Sequence, residues 1–310
     1  ARDSCTVQLV GLLTINLLLN SERIEMMYFG YGSNLDWNDW KGYCERNSRS
    51  PDGLTEIEPA WILGHNLKFH YHSKGRNGGA ADVVPLNHYH ATPGALFELD
   101  EDTWQTMNMK EGTRGGYYEP KEVLVVRQSG ELITALTYVV CEDKIKQQYT
   151  KPSPEYEHLI RNGLLNRGLP DTGLVHSTNE SWQDHVIEHL FVYGTLMGGE
   201  VRHEELFPYI ESRVNGVAKG ALYDLDDYPG MKNGEGLVHG ELVKMNDVES
   251  CLTDMDSIEG FYGYESKNSL YKRTIVPIQT NDGAKWAWTY LYSGHVEENN
   301  RIKSGRWKQC

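Results

Sequence analysis

The sequence predicts an α+β chain built from two related units in tandem, and three observations carry that reading. First, short segments recur in the same order along the chain. Tyr28-Phe-Gly-Tyr-Gly-Ser-Asn-Leu35 is matched by Phe191-Val-Tyr-Gly-Thr-Leu196, Met107-Asn-Met-Lys-Glu-Gly112 by Met255-Asp-Ser-Ile-Glu-Gly260, and Ala135-Leu-Thr-Tyr138 by Ala287-Trp-Thr-Tyr290. Tyr31 thus corresponds to Tyr193, Glu111 to Glu259 and Tyr138 to Tyr290, a return after roughly 150–160 residues each time, the length of one ordinary domain. Second, Gly94-Ala-Leu-Phe-Glu-Leu99 and Gly240-Glu-Leu-Val-Lys-Met245 alternate as half-buried strands do, and each runs into a polar-capped helical stretch, Asp100 to Met109 and Asn246 to Met255. Third, each Glu-Gly is followed by a hairpin. Glu122 to Val126 and Ile133 to Val140 flank Gln128-Ser-Gly, and Thr274 to Ile278 and Trp286 to Tyr292 flank Asn281-Asp-Gly. Mostly strands with a few helices in each unit is an α+β arrangement.

The remaining segments set the limits of the units. Pro154 to Gly168 reads as a helix with Tyr156, Leu159, Ile160 and Leu164 on one face, Gly168 at its end and Pro170 beyond. From Pro170 to His189 the chain is polar and reads as a linker. The units are therefore placed at residues 26–180 and 190–310, and with a full set of motifs in each half they are expected to be separable and to carry independent sites. Residues 1–25 are expected to stand outside the fold. Leu9 to Leu19 is apolar but shorter than the roughly 20 residues a bilayer needs, Arg2 is followed at once by Asp3, and Asn20-Ser21-Glu22 is a poor cleavage site.

Composition narrows the function. With 39% hydrophobic residues, 19 Tyr and 8 Trp, the chain can build real cores. A net charge of −14 without a basic stripe disfavours nucleic acid. Five scattered cysteines with no CxxC pair suggest neither a disulfide framework nor a thiolate zinc site, and fit a reducing, cytoplasmic setting without membrane attachment. His70-Tyr-His72 and His88-Tyr-His90 would each place two imidazoles on one face of a strand. No acidic or cysteine ligand falls in a recognised spacing with them, so a polar strand face is preferred and no metal site is assigned. Trp37, Trp40, Trp286 and Trp288 are expected in the core or at a rim. Gly30-x-Gly32 lacks the third glycine of a dinucleotide-binding turn, and no Gly-Lys-Ser or Gly-Lys-Thr follows it.

The strand-turn Tyr28 to Leu35 resembles the signature of γ-glutamyl cyclotransferases. So do Gly79-Ala-Ala-Asp-Val83, Met109-Lys-Glu-Gly112 with Gly116-Tyr-Tyr, and Pro152-Ser-Pro-Glu-Tyr156 with Gly168-Leu-Pro170. The second half is similar to the γ-glutamylamine cyclotransferase branch at Phe191 to Leu196, Gly220-Ala-Leu-Tyr-Asp-Leu225, Tyr228-Pro-Gly230, Val238-His-Gly-Glu-Leu242, Ile258-Glu-Gly260 and Tyr271-Lys-Arg273. Arg202-His203 departs from the family's usual Asn-His, and the first unit lacks the Tyr-x-Arg. The resemblance implies two small mixed β-barrels with flanking helices. It also implies an enzyme that releases 5-oxoproline from γ-glutamyl peptides or γ-glutamylamines, with a small-molecule substrate and no cofactor.

That chemistry can be set against the residues. The substrate's own α-amine attacks its γ-carbonyl, so the protein must hold a reactive conformer and move protons. Glu111 and Glu259 are the candidate general acid/base groups, each a lone glutamate followed by glycine in a repeated context. The turns Tyr28, Phe29, Gly30, Tyr31, Gly32, Ser33 and Asn34, and Tyr193, Gly194, Thr195 and Leu196, are candidate substrate-binding segments, because glycine lets backbone amides approach a carboxylate or oxyanion closely. Tyr156, at the start of its helix, is expected either in the core or lining the pocket. The alternative is a module on the same fold that binds a metabolite or partner without turnover.

Overall fold

The computed structural model describes residues 26–307; the segment 1–25, expected to stand outside the fold, lies outside the described residues. Two closed barrels form, each from five strands. The first takes β1 (Met26–Gly30), β2 (Leu54–Leu63), β5 (Ala91–Leu99), β6 (Tyr118–Arg127) and β7 (Leu132–Val140), in the order β1-β5-β2-β6-β7. It is closed by a parallel contact of Tyr28 with Leu136. The second takes β8 (His189–Val192), β9 (Ile210–Asp224), β10 (Pro229–Met245), β11 (Tyr271–Thr280) and β12 (Gly283–Tyr292). Its closure is again parallel, Leu190 against Trp288. Apart from β8 against β12 and β1 against β7, the pairings are antiparallel. Walking round either barrel from its first strand meets the equivalent elements in the same order, so the sequence repeat is a repeat of topology.

Helix α1 (Trp37–Arg46) follows the first turn, and α2 (Glu101–Glu111) follows β5. The Asp100 carboxylate accepts from the backbone N–H of Thr103 and starts α2; Gly112 at φ +67° ends it. In the second unit, after the short α5 (His203–Leu206), Asp247 caps α6 (Val248–Ile258) in the same way, through the N–H of Ser250, and Gly260 at φ +60° follows. Both hairpins close where expected. α3 (Pro154–Leu165) begins at Ser153, whose hydroxyl accepts from the N–H of Tyr156.

Two expectations need correction. The stretch taken as polar linker holds α4 (Thr172–Thr178), which packs against the first unit with Gly173, Leu174 and Ser177 buried, and Ile187 is buried further on. Polar composition misled there because a seven-residue helix needs few apolar anchors. The histidine pairs do not share strand faces either. β3 (His65–Ser73) and β4 (Gly78–Pro85) form a hairpin of their own, and its register slips between Phe69 and Tyr71. That bulge turns His70 inward to the Asp82 carboxylate at 2.6 Å, while His72 is exposed. His88-Tyr-His90 lies in the turn between β4 and β5, not in a strand.

One apolar core runs through both units, from Tyr28 and Trp61 to Leu190, Met255 and Trp288. Trp40 and Trp288 are fully buried, whereas Trp37 is about half exposed at 48%. At the junction the rings of Trp61 and Trp286 meet edge to face at 5.5 Å, and the Trp286 indole N–H donates to the Gly168 carbonyl at 2.9 Å.

Candidate active sites

In the first unit the strand β1 delivers Tyr28, and the turn after it delivers Tyr31, Gly32, Ser33 and Asn34, to a small cavity also reached by Glu111, Tyr118, Tyr138 and Tyr156. Asn34 is the hub. Its side-chain N–H donates to Glu111 Oε1 at 2.8 Å and to the Tyr28 hydroxyl at 2.7 Å, while its Oδ1 accepts from Lys110. The Tyr31 hydroxyl donates to the Tyr138 carbonyl at 2.5 Å. Gly32 lies close to Tyr156: a Cβ there would sit 3.3 Å from the Tyr156 hydroxyl, a tight contact. Phe29 and Gly30 support the turn from behind: Phe29 is buried with its ring against Gly94, and Gly30 lies under the ring of Phe97. Burial pushes the Tyr156 phenol up to about 12, although Arg76 and the Ala81 N–H oppose that rise. Tyr156 is therefore both core and lining.

The small cavity shares Ser33, Glu111, Tyr118 and Tyr156 with a cleft of about 720 Å³. Lys74, Arg76, Lys110, Lys144 and Lys146 line it, against the carboxylates of Glu111 and Asp143. Arg76 and Lys110 share one carboxylate, Asp39, at 2.7 and 3.0 Å, and Arg76 also donates to Ser33 Oγ at 2.7 Å. Burial alone would raise the Asp39 carboxyl, but Arg76 and Lys110 hold it well below the usual carboxylate range. Two cations on one anion leave positive charge facing the cleft. Neither Arg76, in the turn between β3 and β4, nor Asp39, in α1, stands out in the sequence, because partners far apart in the chain give no local signal. Lys110 sits in the repeated Met-x-x-x-Glu-Gly segment, where its neighbour took the attention.

The second unit encloses a cavity of about 440 Å³. Tyr193, Gly194, Thr195 and Leu196 form one wall, Tyr228, Pro229 and Tyr271 another, and Ile258 and Glu259 the end of α6. Hydrogen bonds repeat those of the first unit: Tyr193 donates to the Tyr290 carbonyl at 2.6 Å, and the Thr289 hydroxyl to the Phe191 carbonyl at 3.0 Å, as Thr137 does to Phe29 at 2.8 Å. A Cβ on Gly194 would fall 2.5 Å from the Pro229 ring. The difference between the copies lies at the turn. Leu196 stands where Asn34 stands and can donate nothing to Glu259. Burial in this apolar wall pushes the Glu259 carboxyl up to about 7, while Arg202, the residue that departs from the family's pattern, pulls it down. A carboxyl titrating near neutrality can both accept and return a proton.

One histidine cluster lies at the junction. Donor atoms of His90, His185 and Glu249 fall within 4.8 Å of one another. The two rings stack at 4.2 Å with 23° between their planes, so their in-plane lone pairs run side by side and do not converge on one ion. The His90 nitrogens already face Asn87 Oδ1 at 2.8 Å and the Gln183 carbonyl at 3.0 Å. Through these contacts His90 joins the turn before β5 to the segment 183–185.

Comparison with known proteins agrees with this geometry. A family profile described as γ-glutamyl cyclotransferase, AIG2-like, matches residues 190–309, and one described as AIG2-like matches residues 93–174. A Vibrio cholerae protein named as a candidate γ-glutamylcyclotransferase is 34% identical over 129 residues, covering 40% of this chain and 98% of its own. The γ-L-glutamyl-butirosin B γ-glutamyl cyclotransferase of Niallia circulans is 32% identical over 122 residues, covering 39% of this chain and 75% of its own. A solved structure of a γ-glutamyl cyclotransferase is similar at a TM-score of 0.41 and 25% identity, over 47% of this chain and 82% of its own. No described helix is long and apolar enough to cross a membrane. With relatives above 30% identity matched over most of their own length, the chain belongs to the γ-glutamyl cyclotransferase, AIG2-like family.

Proposed function

We propose that the chain is a γ-glutamyl cyclotransferase with two sites, one in each of two domains at residues 26–180 and 190–310, releasing 5-oxoproline from small γ-glutamyl substrates. The observation that carries this reading is the placement of Glu259 at a helix end, inside a cavity walled by a Tyr-Gly-Thr turn, where burial pushes its carboxyl up to about 7. Glu111 holds the same place in the first copy, beside Tyr28 and Asn34.

In each site the turn and its tyrosines hold the glutamyl moiety folded on itself. Tyr28 to Asn34 serve this in the first domain, with Tyr156, and Tyr193 to Leu196 in the second. The carboxylate of Glu111 or Glu259 takes a proton from the α-ammonium. The α-nitrogen then attacks the γ-carbonyl carbon; a carbon–nitrogen bond forms there and the old amide bond breaks. Of the three ammonium hydrogens, one stays on the ring nitrogen and two pass to the departing nitrogen, which leaves as an ammonium. The carboxylate returns to its starting state, and the balance requires no cofactor or enzyme nucleophile.

The lining charges favour different leaving groups. The first cleft, with its five cations, suits a leaving group that carries a carboxylate. The second cavity is lined by one cation, Arg202, and two carboxylates, Asp227 and Glu259, among aromatic and apolar side chains, which suits an uncharged or singly charged amine. The buried thiols Cys44 and Cys251 fit a reducing cytoplasm. The test is 5-oxoproline release from γ-glutamyl dipeptides and γ-glutamylamines by the full chain and by its Glu111→Gln, Glu259→Gln and doubly substituted forms. Binding of these compounds without any release would leave a recognition module in place of an enzyme.

A further inference from the structure

We propose that the turn at residues 87–90 of the first barrel unit is a positioning element of the second unit's site, acting through Arg273 and helix α6. The proposal rests on the reading of Glu259 given above.

Helix α6 ends at Glu259 and meets the turn along one stripe, Glu249, Thr253 and Asp256, spaced four and three residues apart. Asn87 donates to Glu249 Oε1 at 2.8 Å, and the Tyr89 hydroxyl lies 2.7 Å from Thr253 Oγ1. Asp256 Oδ2 accepts from Arg273 Nη1 at 2.5 Å. The other arm of Arg273 donates to the His88 carbonyl at 2.7 Å, and its guanidinium carbon lies 5.0 Å from the centre of the Tyr89 ring. From Asp256 the contacts continue to the cavity: the Tyr290 hydroxyl donates to Asp256 Oδ1 at 2.7 Å, and the Tyr290 carbonyl holds the Tyr193 hydroxyl. The second site's helix, its strand β12 and its signature tyrosine are thus tied to a turn of the first unit.

The first unit shows that this device is not needed to build the fold. There Asn108 stands for Asp256 and bonds the Tyr138 hydroxyl at 3.0 Å. Opposite Tyr138 on the neighbouring strand is Pro120, where Arg273 lies opposite Tyr290. A neutral pair does the local task. Arg273 is fully buried at 0% exposure, and a buried ion pair is seldom a net gain in stability over an apolar replacement. What it adds is reach to the His88 carbonyl across the junction. The expectation of independent sites, drawn from a complete motif set in each half, leaves out this link.

The experiment uses the full chain with Glu111→Gln, so that 5-oxoproline from a γ-glutamylamine reports on the second site alone. Tyr89→Ala should lower kcat on the order of 10-fold with KM nearly unchanged, the effect of a sub-ångström misplacement of the proton acceptor. Tyr89→Phe, which keeps the ring over Arg273, should restore most of it. In parallel, the Glu259 carboxyl is titrated by NMR with labelled glutamate; in Tyr89→Ala its midpoint should fall from about 7 as water gains access. This second readout decides the question even if no variant releases 5-oxoproline, which would defeat the functional reading alone. Parental kcat together with an unmoved midpoint would overturn the proposal. So would an equal loss at the first site, measured on a γ-glutamyl dipeptide in a Glu259→Gln chain carrying Tyr89→Ala, since that indicates general unfolding.

Discussion

Replacing Glu259 by glutamine should stop the second site and stabilise the protein at alkaline pH. The carboxyl is pushed up from 4.5 to about 7 by burial, and at about 1.4 kcal/mol per pH unit that rise corresponds to about 3 kcal/mol. The folded chain holds this proton more tightly than the unfolded chain does. The contribution is therefore fully present below pH 4.5 and is lost as the pH rises through about 7. Above that range the ionised, buried carboxylate costs the folded state the whole amount. Glutamine keeps the shape and carries no charge at any pH. The variant should match the parent near pH 4.5 and exceed it by about 3 kcal/mol at pH 8, or about 6–12 °C in Tm. Urea unfolding of parent and variant at the two pH values measures the difference directly, and the other titrating groups cancel between them. A difference that is the same at both pH values, or a variant less stable at pH 8, would refute the burial argument. The same substitution should abolish turnover of γ-glutamylamines, so the stabilised form would be the inactive one.

Other outcomes follow from the same geometry. Glu111→Gln should lower kcat on γ-glutamyl dipeptides by about 10²-fold or more, the scale of general acid–base catalysis, and leave γ-glutamylamine turnover by the second site in place. With the first site silenced in this way, kcat/KM at the second should rise with pH through a midpoint near 7, because the carboxylate is the working form. Lys146→Glu in the first cleft should raise KM for γ-glutamyl dipeptides several-fold, an effect that salt weakens, and leave γ-glutamylamines unaffected; equal changes on both substrates would count against a charge-selective cleft. Dialysis against EDTA should leave turnover intact, and loss of activity restored by zinc would redirect attention to His90 and His185.

What the sequence made legible is what local chemistry decides. The strand-turns, the Asp-capped helices ending in Glu-Gly, and the hairpins are each set by residues within about ten positions of one another, so periodicity and capping suffice to place them. The hairpin of β3 and β4 was harder, because a bulge at His70 breaks the alternation on which strand reading depends. The cations of the first cleft and the Arg273 link were illegible for a different reason. Arg76 meets Asp39 across 37 residues, and Arg273 meets the His88 carbonyl across 185; nothing near either residue marks the partner.

The repeat itself also concealed a divergence. Reading Ser33-Asn34 against Thr195-Leu196 suggests a change in substrate preference, since only asparagine can hydrogen-bond there. The structure places that substitution against the proposed catalytic group instead. Asn34 donates to Glu111 and accepts from Lys110, whereas Leu196 can donate nothing to Glu259. One position in the turn thus gives two equivalent glutamates different electrostatic settings. An Asn34→Leu exchange removes the hydrogen bond that aims the Glu111 carboxylate, and should lower kcat on γ-glutamyl dipeptides about 10-fold while leaving γ-glutamylamine turnover at the second site in place. An unchanged kcat on dipeptides would show that the cleft, and not the turn, positions Glu111.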